Sequence, residues 1–372
     1  MYLYLHVPFC SKKCNYCDFV TFGEVSRQDE YTDLLVKEIE ILSKRYPKVL
    51  KTLYLGGGTP SLLSEKNLEK IYRAVVEHFE LLSEEVTIEM NPEDCSFEKL
   101  KHLRDLGFNR ASIGIQSFSD RILGLIGRVG NRELSIRAYE NARKAGFHNI
   151  SLDLIYGIPT QTPEELQDSI DKIIELSPDH ISTYSLMINK GTKLYSDWKK
   201  KKWIAMDDDI VADQFDLIVE RFARHGYHRY EISNFARESF EAIHNSAYWN
   251  MDETLGAGIS AVYTRRKIRV ENTYSYQSYV KAIHSGELPI LHRQELSEKD
   301  EISERIMMGF RLSKGIDYGK LNREFSIDFL EMYKDQIQKY IDLKYMSIKD
   351  GRIFLNNEGM NISNSIVSDF IL

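Results

Sequence analysis

Three cysteines stand within eight residues near the start of the chain, Cys10, Cys14 and Cys17, in the spacing C-x3-C-x2-C. Thiolates are soft ligands, and three from one tight loop can hold three irons of a [4Fe-4S] cubane while the fourth iron stays open. The amino and carboxylate groups of S-adenosylmethionine can chelate such an open iron. An electron from the reduced cluster would then split the sulfonium and release a 5′-deoxyadenosyl radical. Zinc is the competing reading, with His6 or another side chain as fourth ligand. Structural zinc motifs usually come as two separated ligand pairs, and no second pair exists here, so the spacing favours the cluster. The fourth cysteine, Cys95, lies far downstream and reads as a small buried hydrophobe.

Other residues with chemical potential follow along the chain. Gly56-Gly57-Gly58-Thr59-Pro60 would let the backbone approach a ligand closely and bare its amide groups. Glu89, Gln116 and Asp153 carry groups suited to amines and ribose hydroxyls, and Arg128 suits a carboxylate. Much later comes His244-Asn245-Ser246-Ala247-Tyr248-Trp249. A neutral imidazole is a good axial ligand for haem iron, and two neighbouring aromatics offer flat faces to a porphyrin. The same six residues also read as a helix start with two aromatics buried at a domain junction, and taken alone they favour that reading.

These residues need elements to position them. Strand-like runs at 3–7, 52–55, 86–90, 110–115, 150–155 and 180–186 alternate with helical periodicity at 30–46, 65–79, 97–106, 132–145 and 163–176. That alternation predicts an α/β fold built from βαβ units around a parallel sheet. The cysteines, the glycines, Glu89, Gln116 and Asp153 all fall at or just after successive strand ends. Such ends share one mouth, where folds of this kind build their sites. Residues 1–235 are therefore expected to form one domain of six strands. Residues 236–290 read as an irregular connecting segment that carries the histidine motif. Residues 291–372 read as a small helical, winged-helix-like domain, with a hairpin at 345–355 around Asp350-Gly351 and a last helix at 366–371.

Composition narrows the function classes. The net charge of −7 argues against broad nucleic-acid binding, which needs a basic field. The two short basic runs, at 199–202 and 265–267, are each isolated and read as solvated surface. No apolar run reaches the roughly 18 residues of a membrane span, and the N-terminus lacks the basic start of a signal peptide. A cytoplasmic protein is expected.

The stretch His6-Val7-Pro8-Phe9-Cys10 through Cys14, Tyr16, Cys17, Asp18 and Phe19 resembles the radical S-adenosylmethionine superfamily, and within it the oxygen-independent coproporphyrinogen dehydrogenase family. The resemblance runs from Tyr4 to about residue 270 and weakly beyond. It implies a partial (β/α)6 barrel and a [4Fe-4S] cluster on Cys10, Cys14 and Cys17. S-adenosylmethionine would contact Tyr4, Gly57, Gly58, Thr59, Glu89, Gln116, Arg128, Asp153, Met187 and Val262. Members that decarboxylate coproporphyrinogen III differ in two features, an extension ahead of the first strand and a further cysteine beyond the third. This chain starts nine residues before Cys10 and has Phe19 at that further position. The pattern H-N-x-x-Y-W, met here at 244–249, is similar to the signature of the HemW-type haem chaperones in the same family. The resemblance thus implies haem binding by His244, Tyr248 and Trp249, with His244 on the iron, and delivery to a haem-accepting protein. It also implies an electron donor such as a flavodoxin or ferredoxin, and a monomer or homodimer. The runner-up is the coproporphyrinogen dehydrogenase itself, an enzyme of haem biosynthesis.

Overall fold

The computed structural model describes residues 1–371. Its first half repeats strand then helix: β1 (Tyr2–Val7), α1 (Gln28–Arg45), β2 (Val49–Gly57), α2 (Glu65–His78), β3 (Glu80–Met90), α3 (Phe97–Leu106), β4 (Arg110–Gln116), α4 (Asp120–Leu125), α5 (Arg132–Lys144), β5 (Asn149–Tyr156), α6 (Pro163–Leu176) and β6 (His180–Ser185). The six strands pair in sequence order and all in parallel. After α7 (Lys193–Lys199) and α8 (Asp208–Arg224), the short β7 (His228–Arg229) and β8 (Asn234–Ala236) extend the sheet antiparallel beyond β6. The helix α9 (Ile243–Trp249) leads into β9 (Thr254–Ala257), which pairs in parallel with β1. The order β7-β8-β6-β5-β4-β3-β2-β1-β9 leaves the two edges unjoined, as a partial barrel requires. A (β/α)6 core of parallel strands is therefore what the sequence pattern builds.

Two capping devices set helix starts in this core. Thr162 and Glu165 form a reciprocal capping box on α6, and Asn131 accepts the Leu134 amide at the start of α5. Alternation along β4 sends Ala111, Ile113 and Ile115 into the hydrophobic core, while Ser112, Gly114 and Gln116 line a cavity at the sheet's carboxyl end.

The stretch 236–290 does more than connect. Leu255, Ala257, Ile259, Tyr263, Val270, Tyr279, Ile283 and Leu288 belong to the same apolar core as β1 to β6. Here β10 (Val262–Arg265), β11 (Ile268–Asn272) and β12 (Ile290–Glu295) form an antiparallel three-stranded sheet, with α10 (Tyr276–His284) between β11 and β12. The apolar core of the barrel runs on to Leu288, and β9 forms the sheet edge beside β1.

A second core holds the C-terminal part, from Ile302 to Phe370. It comprises α11 (Glu298–Gly309), β13 (Ile316–Asp317), α12 (Tyr318–Phe325), α13 (Phe329–Met332), α14 (Lys334–Asp342), β14 (Met346–Lys349), β15 (Arg352–Leu355), α15 (Asn357–Asn361) and α16 (Ser363–Ser368). The hairpin turns at Asp350 and Gly351, both with positive φ, as the sequence implies. The last helix ends at Ser368, and residues 366–371 are not helical throughout. No helix among the described residues is long and apolar enough to cross a membrane.

Candidate functional site

The loop after β1 carries the three cysteines to the carboxyl ends of the strands. It is fixed on both sides: the Asn15 amide donates to Ile126 O at 2.9 Å and the Leu194 amide donates to Asn15 O at 2.7 Å. The Asn15 side chain adds a bond to Leu125 O at 2.9 Å. Burial raises the Cys10 and Cys17 thiols, opposed by the Thr59 hydroxyl and the Phe19 amide respectively. Among the described residues no three His, Cys, Asp or Glu side chains converge closely enough for a single metal ion. Three thiols on one short loop suit a cubane with one open iron.

Behind the loop lies a cavity of about 360 Å³. It brings together Cys10, Cys14 and Cys17 with Gly57, Gly58, Thr59, Glu89, Gln116, Arg128, Asp153 and Met187. The glycine turn has to be glycine. A Cβ on Gly58 would stand 2.6 Å from Phe9 O, and one on Gly57, where φ is +115°, would meet the His6 ring at 2.6 Å. Glu89 is aimed by the Tyr54 hydroxyl at 2.7 Å and the Gly57 amide at 3.0 Å. Desolvation inside the barrel pushes its carboxyl up to about 7, against the pull of those two donors. The same cause raises Asp153 to about 6, opposed by Ser182 and Arg110. Arg128 donates to Gly114 O, to Asn91 Oδ1 at 3.0 Å, and toward Cys14 Sγ at 3.8 Å.

Gln116 shows that this cavity is built for a ligand. Its backbone is left-handed (φ 65°), and its side-chain Oε1 is buried without a partner. A strained residue that presents an unsatisfied acceptor costs stability unless something else fills the site. The residues present thus fit S-adenosylmethionine, with a close-approach glycine turn at one end, its Gly57 and Gly58 amides held by Glu89 and Val7 O, and carboxylates along the wall. Strand alternation could have flagged Ser112, which reaches Asp153 at 3.5 Å, because it lies two residues before Gly114 and four before Gln116. Tyr184, also on the wall, gave no local signal.

A second chamber, about 740 Å³, adjoins the first and shares Asp18, Phe19, Gly57, Glu89 and Tyr184 with it. Tyr4 and Val262 line this chamber, next to the Gly57 and Glu89 wall that it shares with the cofactor cavity. Tyr4 turns its hydroxyl to His6 Nδ1 at 3.1 Å, and Val262 begins β10 on the far wall. Met251, Tyr263, Tyr274 and Met308 add apolar faces.

His244 and Tyr248 also reach this chamber, one turn apart on α9. The imidazole is only 1% exposed and packs against Tyr54 with ring centroids 4.9 Å apart. Burial, helped by Arg110, lowers its pKa to about 3, so the ring is neutral. Its Nδ1 bonds Thr52 Oγ1 at 2.7 Å and its Nε2 bonds the Tyr248 hydroxyl at 3.2 Å. Trp249 is placed elsewhere. It lines a separate cavity of about 330 Å³ against the C-terminal domain, where Arg311 lies 6.0 Å from its ring centre. The three motif residues therefore do not face one ligand, because positions 244 and 248 share a helix face and 249 is rotated away from it. Glu85 was not foreseen, yet its two oxygens accept the amides of Ile243 (2.8 Å) and His244 (3.1 Å), so a residue on β3 caps α9.

A parallel partial barrel, a three-cysteine loop at its mouth and a glycine-walled cavity with an unsatisfied acceptor define a radical S-adenosylmethionine protein. Residues 4–173 match the Radical SAM superfamily and residues 296–362 match the HemN C-terminal domain. The haem chaperone HemW of Lactococcus lactis is 34% identical over 99% of this chain and 97% of its own length, and that of Bacillus subtilis is 32% identical over 99% and 98%. The chain belongs to the HemW haem chaperone family. The structure of the coproporphyrinogen III oxidase HemN from Escherichia coli superposes with a TM-score of 0.86 at 22% identity, covering 100% of this chain and 89% of that one, so the two share a fold.

Proposed function

We infer that this protein binds haem in the 740 Å³ chamber beside its cofactor cavity and hands it to an acceptor protein. The observation that carries the reading is the chamber itself. It is large enough for a tetrapyrrole, walled by tyrosines and methionines, and has a neutral imidazole at its inner face. Family membership supports the same reading.

Cys10, Cys14 and Cys17 would hold the [4Fe-4S] cluster, with Gly57, Gly58, Thr59, Glu89, Gln116, Arg128 and Asp153 around S-adenosylmethionine. When bound, the pair supplies one-electron chemistry at the barrel mouth. The chain's own residues do the rest. Thr52 fixes the imidazole through Nδ1, leaving Nε2 as the atom for iron. Tyr248, which is 36% exposed, holds that atom now and would have to swing out as haem enters. Trp249 has no part in the site, since it faces another cavity. The protein would work in the cytoplasm, receive electrons from a carrier of the flavodoxin or ferredoxin class, and act as a monomer or homodimer.

Haem titration of the reconstituted protein tests this. Wild type is expected to give a shifted Soret band at one haem per chain, and His244→Ala to lose that band while keeping its iron and sulfide. An unchanged band in His244→Ala overturns the ligand. The coproporphyrinogen dehydrogenase keeps a place as second reading, because the same chamber opens onto Glu89 and Gly57 of the cofactor wall.

A further inference from the structure

The basic run at 199–202 closes α7, the helix whose first turn is bonded to the cysteine loop. The segment before α7 is tied to the cysteine loop twice, by Leu194 N to Asn15 O at 2.7 Å and by Asn189 Nδ2 to Asp18 Oδ2 at 2.6 Å. Helix α7 leaves from that contact and is seven residues long, roughly 10 Å. Lys190 follows Asn189, Lys193 precedes Leu194 and Asp197 ties Lys202 to Lys193, so these lysines and the run 199–202 lie on the segment that abuts the loop carrying Lys12 and Lys13, and all eight lysines are exposed. Only Asp18 and Asp197 carry opposite charge within these two segments, and the acidic start of α8 at 207–209 lies beyond them. Asp197 holds Lys193 and Lys202, at 2.5 and 2.7 Å, which leaves Lys199, Lys200 and Lys201 without an acidic partner. Trp198 adds a partly exposed aromatic face, with Lys199 Nζ 5.0 Å from its ring centre.

A patch of this sign is unexpected on a chain of net charge −7. It sits where an electron has to arrive. The chain has four cysteines, three of them in the loop and the fourth, Cys95, buried, so no second cluster or dithiol of its own can relay charge. We propose that the lysines of the cysteine loop and of the α7 segment form the docking surface for an acidic one-electron carrier protein. The docked carrier loses one electron and the cluster gains it, with no bond made or broken. Lys12 and Lys13 line the opening, and the α7 lysines extend that positive field to steer a negatively charged partner, as complementary fields do.

The proposal rests on the reading that the loop carries a reducible cluster, and the experiment separates the two. On anaerobically reconstituted protein, binding of an acidic flavodoxin is measured by calorimetry at low and moderate salt. In K199E/K200E/K201E the affinity is expected to fall by at least about tenfold, with a flatter salt dependence. K48E/K51E, at the opposite end of β2, should bind like wild type. Iron and sulfide content and bleaching by dithionite should be equal in all three. A protein without iron and sulfide overturns the cluster reading and the proposal with it. An intact cluster with unchanged flavodoxin affinity in K199E/K200E/K201E overturns the docking surface alone. Retained flavodoxin affinity with lost binding to phosphatidylglycerol vesicles would reassign the patch to a lipid surface.

Discussion

In the proposed haem site Tyr248 holds Nε2 of His244, the atom that iron would need. Tyr248→Phe removes the hydroxyl without emptying the space. Haem association by stopped-flow absorbance should become faster, with the Soret position kept; slower association would mean that the hydroxyl guides haem instead of blocking it. At the mouth, Cys14→Ser should abolish the cluster, because two thiolates cannot hold a cubane. Retention of full iron and sulfide would sink that assignment. Residues of this kind were legible to different depths. The cysteines are close in sequence, so their spacing alone favours a cluster over zinc. Gln116, Arg128 and Asp153 become a site only when parallel strands align their ends. Trp249 misled because adjacency in a motif is not adjacency on a helix: His244 and Tyr248 share a face, and Trp249 is turned toward Arg311.

At the scale of elements, α9 depends on a partner far away in sequence. Its N-cap, Ala242, has no side chain to offer, and Glu85 supplies both acceptors from β3. Glu85→Ala should therefore destabilise the protein by about 1–3 kcal/mol in urea unfolding and loosen haem binding together. A stable variant with altered haem affinity alone would show that α9 does not need this cap. The turn after β9 is held in a similar way. Glu38 on α1 accepts the Gly258 amide (2.8 Å), the Asn272 side chain (2.8 Å) and the Tyr279 hydroxyl (2.6 Å), all out of water. Burial pushes its carboxyl up to about 7, even though those three donors favour the anion. A folded pKa above the unfolded one means that the folded state holds the proton between about pH 4.5 and 7, so this group's contribution to stability falls as pH rises through that window. Glu38→Gln cannot titrate. Its stability relative to wild type should rise by about 2–3 kcal/mol between pH 4.5 and 8, and a pH-independent difference would contradict the raised pKa. Glu85 and Glu38 escape a reading of the sequence because both act across elements brought together only by folding. The β/α alternation, in contrast, is written in local periodicity, and even the hairpin at Asp350-Gly351 is. The edge strand β9 is four residues long and has too little pattern to announce itself.

Across the whole molecule, two chambers meet at Gly57 and Glu89, one reaching the cysteine loop and the other reaching α9 and the C-terminal domain. Helix α11 closes the second chamber with Glu304 and Met308, and Arg269 of β11 bonds Glu304 at 2.8 Å across that boundary. The C-terminal domain thus shapes the chamber proposed for a tetrapyrrole, while the barrel shapes the cavity proposed for the cofactor. Whether that tetrapyrrole is carried or converted is the central question, and one assay on one anaerobically reconstituted sample decides it. Haem is added and the Soret spectrum recorded; the same protein is then given coproporphyrinogen III, S-adenosylmethionine and a reductant. One haem bound per chain and no protoporphyrinogen are expected. Turnover to protoporphyrinogen would contradict haem delivery and make the chamber an active site.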